Sequence, residues 1–161
     1  MCMKLALLLS LFLLTTPTIA SKFQFNFNVG QDTADDGEDR SGTASLVRFG
    51  LSTSPASMFR WNTAFTYQTG SNAFSQGDFT LGPYIYPLAY MGRKTPGQPF
   101  IYAEGKIGFG TLAKKSRTDT GFGMGAGIDL QMFKHSGVTF SVEQHSASEA
   151  STRLWLGFYW R

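Results

Sequence analysis

A chain of 161 residues with a formal net charge of +3 is long enough for one domain and too weakly charged to argue for a polyanionic partner. Its basic residues are scattered without a stripe or a nucleic-acid motif, so no nucleic acid is expected as a partner. The single cysteine, Cys2, excludes a disulfide framework.

Residues 1–20 place Lys4 before an apolar block from Leu5 to Leu14, followed by a polar stretch with Pro17 that ends on small Ala20. This is the layout of a secretory signal peptide, and the block is half the roughly 20 apolar residues that a membrane-spanning helix needs. Cleavage is expected after Ala20, leaving an exported domain over 21–161 that has no cysteine and depends on its fold for stability.

No helical period of useful length follows. Strand-like segments recur instead, separated by turn-forming clusters, at 22–30, 43–51, 58–68, 78–90, 99–112, 120–133, 138–146 and 151–161. In the first, Phe23, Phe25, Phe27 and Val29 alternate with Gln24, Asn26 and Asn28, the period-two pattern of a half-buried strand. The third sets Phe59, Trp61, Phe65 and Tyr67 against Arg60, Asn62, Ala64 and Thr66. The fourth carries Pro83 and Pro87, each of which removes a ladder donor, so a bulge or an early end is expected there. The sixth opposes Phe122, Met124, Ala126, Ile128, Leu130 and Met132 to a face that begins Gly121, Gly123, Gly125, Gly127. The seventh sets Val138, Phe140 and Val142 against Thr139, Ser141, Glu143 and His145, and the eighth sets Leu154, Leu156, Phe158 and Trp160 against Arg153, Trp155 and Tyr159.

Eight strands without a helix is the smallest common closed barrel. Segments 31–42, 69–77, 113–119 and 146–150 read as polar loops at one end, while 52–57 and 134–137 read as tight turns at the other; 91–98 is longer than that scheme expects. Long outer loops and short inner turns belong to membrane barrels with both termini on the periplasmic side.

Which face looks inward is argued from glycine and charge. Bare glycines on a water-facing wall cover nothing, whereas in a narrow lumen they make room for Tyr84, Tyr86, Tyr102, Trp155 or Tyr159. The polar face carries Arg48, Arg60, Lys106 and Arg153 with Glu104, Asp129, Glu143 and His145, which suits an interior polar network. Each Arg or Lys turned to lipid near the midplane would cost roughly 2–4 kcal/mol. The lipid-facing set is therefore Phe23, Phe25, Phe27, Phe59, Trp61, Phe65, Phe140, Leu154, Leu156, Phe158 and Trp160. A soluble, lipocalin-like secreted barrel, with the apolar face inward, is the alternative.

The amphipathic strands, the glycine-rich segments 102–110 and 121–129, and the closing Leu154–Trp160 stretch resemble the small outer-membrane β-barrels of Gram-negative bacteria, the OmpA/OmpX-like group. The resemblance covers the mature chain and implies an eight-stranded antiparallel up-and-down transmembrane β-barrel in the outer membrane. It also implies contact with outer-membrane lipid and lipopolysaccharide; a structural or surface-interaction role is expected, and no open pore, since eight strands leave an interior that side chains can fill. A terminal aromatic in that group is a signal to the barrel-insertion machinery; here Trp160 is followed by Arg161, a departure of one residue.

No cofactor, metal site or catalytic set is expected. His145 and the segment 144–151 are similar to the lipid A deacylases of the PagL type, whose spacing is His, any residue, Ser. Ala147 stands where that serine belongs, and His145 falls on the inward face. The acidic stretch 32–39 has Ala34 where an EF-hand-like calcium loop wants an oxygen, and Thr43 where it wants a bidentate Glu. Lys114, Lys115 and Arg117 are placed to meet lipopolysaccharide phosphates.

Overall fold

A computed structural model describes residues 23–34, 42–53, 57–70, 74–90, 96–112, 115–146 and 150–161. The predicted signal segment 1–20 lies outside the described residues, as do 35–41, 71–73, 91–95 and 113–114 within the predicted loops.

Eight strands run in chain order: β1 (Gln24–Ala34), β2 (Gly42–Ser52), β3 (Phe59–Gly70), β4 (Phe74–Ile85), β5 (Gly97–Leu112), β6 (Lys115–Gln131), β7 (Ser136–Ser146) and β8 (Ala150–Trp160). One helical turn, α1 (Pro87–Tyr90), follows β4. Each strand pairs antiparallel with the next, and β8 pairs with β1, closing an up-and-down barrel. Closure leaves no unpaired edge, the condition for a sheet to cross a hydrocarbon layer.

The closure is staggered. Followed sideways, the ladder links Gln24 to Ser52, Asn62 and Gly82. The same row continues from Glu104 through Gly123, His145 and Ser151, and reaches β1 again at Ala34 rather than at Gln24. A circuit that returns so far along its first strand requires strands tilted to the barrel axis, about 35–45° in such barrels.

Pro83 sits inside β4, opposite Trp61, and causes no bulge. The β4–β5 ladder lapses at Gly82 and Pro83 and resumes in unchanged register at Tyr84–Tyr102. At Gly82 the neighbouring strand approaches so closely that a Cβ would lie 1.8 Å from the Ala103 carbonyl oxygen. The strand then ends at Ile85, five residues short of the predicted boundary, because Pro87 starts α1. Three predicted loops are likewise shorter than expected: 31–34 belongs to β1, 74–77 to β4 and 115–119 to β6.

Candidate functional site

The inward faces fill the barrel with polar and aromatic side chains. Arg48, Arg60, Glu104, Lys106, Asp129, Glu143, His145 and Arg153 are all buried, Arg60 to 1% exposure. At mid-height the Arg48 guanidinium bonds Glu104, whose same oxygen accepts from Tyr84 OH at 2.8 Å and Asn62 Nδ2 at 3.1 Å. Arg48 also lies 3.6 Å from Glu143, whose Oε2 accepts from Tyr102 OH at 3.1 Å and from Trp155 Nε1 at 3.2 Å. Arg48 thus ties β2 to β5 and β7 across the axis. In this low-dielectric interior such pairs count only because nearly every partner is also hydrogen-bonded.

Toward the end away from the termini, Arg153 donates through Nε to Asp32 Oδ2 at 2.9 Å and through Nη2 to Gln68 at 3.1 Å. Its guanidinium also lies 3.7 Å from Glu143 and 3.8 Å from Asp78. Lys106 bridges Asp78 at 3.4 Å and Asp119 at 3.6 Å. At the opposite end, the Arg60 guanidinium lies 3.5 Å over the Tyr86 ring, and Tyr86 OH donates to Asp129 Oδ2 at 3.1 Å. Gln24 Oε1 accepts from both Arg60 and the terminal Arg161. Tyr84 and Tyr102 stack with centroids 4.5 Å apart, and Phe100 joins them to Tyr86, so an aromatic column stands beneath the charged core.

The glycines of β6 make this filling feasible. A Cβ on Gly125 would fall 2.4 Å from the Tyr102 ring, and one on Gly127 2.5 Å from Phe100. Trp155 takes the corresponding space beside Gly30. A cavity of about 30 Å³ remains, lined by Gln24, Asn28, Arg48, Asn62 and Trp155 among others, large enough for a water or two.

The outer wall is the complement. Phe23, just before β1, is exposed; Phe25 and Phe27 on β1 and Phe59, Trp61 and Phe65 on β3 point outward, as do Phe140, Leu154, Leu156, Phe158 and Trp160, with Phe25 57% exposed. The ladder sets Phe27, Phe49, Phe65 and Phe79 side by side, with ring centroids 5.1 Å apart in the first and last pairs. No described outward-facing strand residue is Asp, Glu, Lys or Arg. Ordinary soluble surfaces are about a quarter to a third charged.

No protein-family model and no curated protein matches the chain. Among solved structures it is similar to the Neisserial surface protein A, at a TM-score of 0.68 and 12% identity over 88% of this chain and 99% of that one. The N-terminal β-barrel domain of Pseudomonas aeruginosa OprF matches at 0.67 and 11% identity, covering 87% and 96%. The Yersinia pestis outer membrane protein Ail, in a phospholipid bilayer nanodisc, matches at 0.52 and 14%, covering 87% and 99%. The chain has the fold of the small eight-stranded outer-membrane barrels. At such identities the likeness fixes architecture and leaves activity to the residues.

His145 is buried in the lumen, with Nδ1 3.5 Å from Glu143 Oε1 and neither ring nitrogen hydrogen-bonded. Ala147 and Ser148 lie outside the described residues. No group of three or more metal-ligating side chains occurs among the described residues. Asp32, read from the sequence as part of an external acidic loop, is instead an inward strand residue bound to Arg153. Asp119, also read as loop, and Asp78 are buried beside Lys106. Carrying the alternation of Gln24 and Asn28 one step further along β1 reaches Asp32, so parity was the available signal. Lys115 and Arg117 occupy register positions at the tip of the β5–β6 hairpin, opposite Leu112 and Gly110. Lys114 lies outside the described residues.

Proposed function

We propose that the chain is an integral outer-membrane β-barrel, inserted after export and signal removal, that acts as a structural or surface-interaction protein and forms no diffusion pore. The observation that carries this reading is the sorting of charge: on the described strands Asp, Glu, Lys and Arg occupy inward register positions and none an outward one, and Asp32, Arg48, Arg60, Asp78, Glu104, Lys106, Asp119, Asp129, Glu143 and Arg153 are buried. The arrangement is the reverse of a soluble ligand-binding barrel, whose apolar side chains converge on the axis. An arginine turned to hydrocarbon costs roughly 2–4 kcal/mol at the midplane, and this wall avoids that cost on all eight strands. The packed lumen argues against diffusion, since eight strands enclose a space that side chains can fill.

Outer-membrane lipid and lipopolysaccharide are the neighbours this wall suits. The barrel-insertion machinery would meet the outward Trp160, which lies 6.4 Å from Phe25 across the closing seam, while Arg161 folds over Tyr159 toward Gln24. Cell-envelope fractionation tests the proposal. The chain is expected in the outer-membrane fraction and, in detergent, to migrate differently on gels with and without boiling. Recovery as a freely soluble periplasmic protein with equal mobilities would refute it.

A further inference from the structure

Only part of β6 is paired on both sides. Toward β5 its ladder runs unbroken from Lys115 to Leu130, opposite Leu112 to Gly97. Toward β7 it starts at Phe122, opposite Ser146, and continues to Gln131. Residues 115–121 therefore have a strand on one side and, among the described residues, none on the other. β7 ends at Ser146 and β8 begins at Ala150, so the chain between them has only the length of a tight turn. Elsewhere a described strand end runs free on one side for four residues at most, as β5 does over 97–100.

The free stretch begins where the wall stops being apolar. Phe122, where pairing with β7 starts, is also the first apolar residue of the outward face of β6, and beyond it the same face presents exposed Thr120, Thr118 and Ser116. Unbonded backbone groups cannot be held in hydrocarbon, so an edge that opens at this point stands in water. Seven residues at about 3.4 Å each give roughly 24 Å of strand with alternate N–H and C=O groups turned to the open side. Proteins ordinarily blunt such an edge with a bulge, a proline or a short strand. The register of 115–121 is continuous and the stretch has no proline. What it does have is basic charge at two alternate positions, Lys115 and Arg117. Asp119, the third member of that series, is already held by Lys106 at 3.6 Å.

We propose that residues 115–121 of β6 are a docking edge for an extended acidic peptide segment of an external protein, which joins the sheet as an added strand. The inference deepens the surface-interaction reading above and rests on it, because that reading places this end outside the cell. Main-chain hydrogen bonds supply affinity in strand addition, and side chains at alternate positions supply choice. Carboxylates two residues apart on the added strand fall on one face and match Lys115 and Arg117, whereas a basic strand meets like charge there.

The test uses the full mature chain folded into phosphatidylcholine vesicles and a fluorescent seven-residue peptide that alternates Glu with Val. Anisotropy should show saturable binding, and the same peptide with Lys in place of Glu should bind on the order of tenfold more weakly. Methylating the backbone nitrogens of one alternate set of peptide residues should abolish binding and methylating the other set should not, since only one set faces β6. The double variant Lys115→Glu, Arg117→Glu should reverse the preference between the two peptides and keep its gel shift on boiling. Equal binding of the two methylated peptides would mean charge attraction without strand addition and overturns the proposal. Two other results overturn it as well: a wild type that dimerises through this edge in place of binding peptide, and lipopolysaccharide in the vesicles that displaces the peptide by claiming both basic residues for its phosphates. A wild type with no gel shift refutes the membrane-barrel reading itself, while a normal gel shift without peptide binding refutes the docking edge alone.

Discussion

Arg153 on the last strand and Asp32 on the first are direct cross-strand partners at the seam where the barrel closes, joined by a 2.9 Å charge-assisted hydrogen bond. The pair is buried, and Arg153 also reaches Gln68, Asp78 and Glu143. Removing one member strands the other away from water, which costs about 3–5 kcal/mol when burial is complete and less where water enters. Arg153→Ala is therefore expected to lower the urea midpoint of the vesicle-folded protein by several kcal/mol in stability. Replacing both partners should cost less than the two single losses together. A double-mutant cycle with no coupling would mean that the seam is held by backbone pairing alone.

Gly82 makes a second, purely steric prediction. Its missing side chain admits the β5 backbone, with the Ala103 oxygen and the Glu104 Cα both inside the space of a Cβ. Gly82→Ala should destabilise by about 1–3 kcal/mol through forced backbone movement. Gly105→Ala, where the nearest atom is the Leu81 carbonyl oxygen at 3.9 Å, is the internal control and should be close to neutral. Equal urea midpoints for the two variants would mean that the β5 backbone yields at Gly82 without cost.

The parts of this molecule that follow from period two were legible in the sequence, and those that follow from closure were not. Phe25 and Arg60 took their sides from parity alone, because their strands alternate without interruption. Asp32 was obscured by its setting: an acidic run resembles a loop, and only the strand continuing to Ala34 turns it inward. The helical turn after Tyr86 could not be read, since Pro87 is compatible with either a strand end or a helix start. The choice of Glu104 and Glu143 as partners for Arg48 depends on the stagger between strands that are not neighbours, which no local pattern encodes.

The packed lumen predicts an electrical result. Trp155, Tyr102 and Tyr84 crowd around the Arg48 carboxylate partners, and Tyr86 with Phe100 fills the end nearer the termini. Wild-type protein in planar bilayers should add no steady conductance. The double variant Tyr102→Ala, Trp155→Ala removes two rings and two donors to Glu143, and should produce measurable ion flow. A wild type that conducts steadily would show that the network parts readily, contrary to its hydrogen bonding.

The outer wall should report its own depth. Phe65 lies in the aromatic row between Phe49 and Phe79, and the outward Thr69 lies four residues along the same strand, toward the end away from the termini. At about 3.4 Å per residue they are separated by roughly 14 Å along a tilted strand. An arginine at Phe65 must desolvate in hydrocarbon and should cost roughly 2–4 kcal/mol, whereas one at Thr69 should cost about 0–1 kcal/mol because its headgroup reaches the interface. Stability measured in vesicles should therefore separate Phe65→Arg from Thr69→Arg by a factor of ten or more in the folding equilibrium. If the two arginines cost the same, or if Phe65→Arg stabilises, the aromatic row faces water and the orientation of the whole sheet in the membrane is refuted.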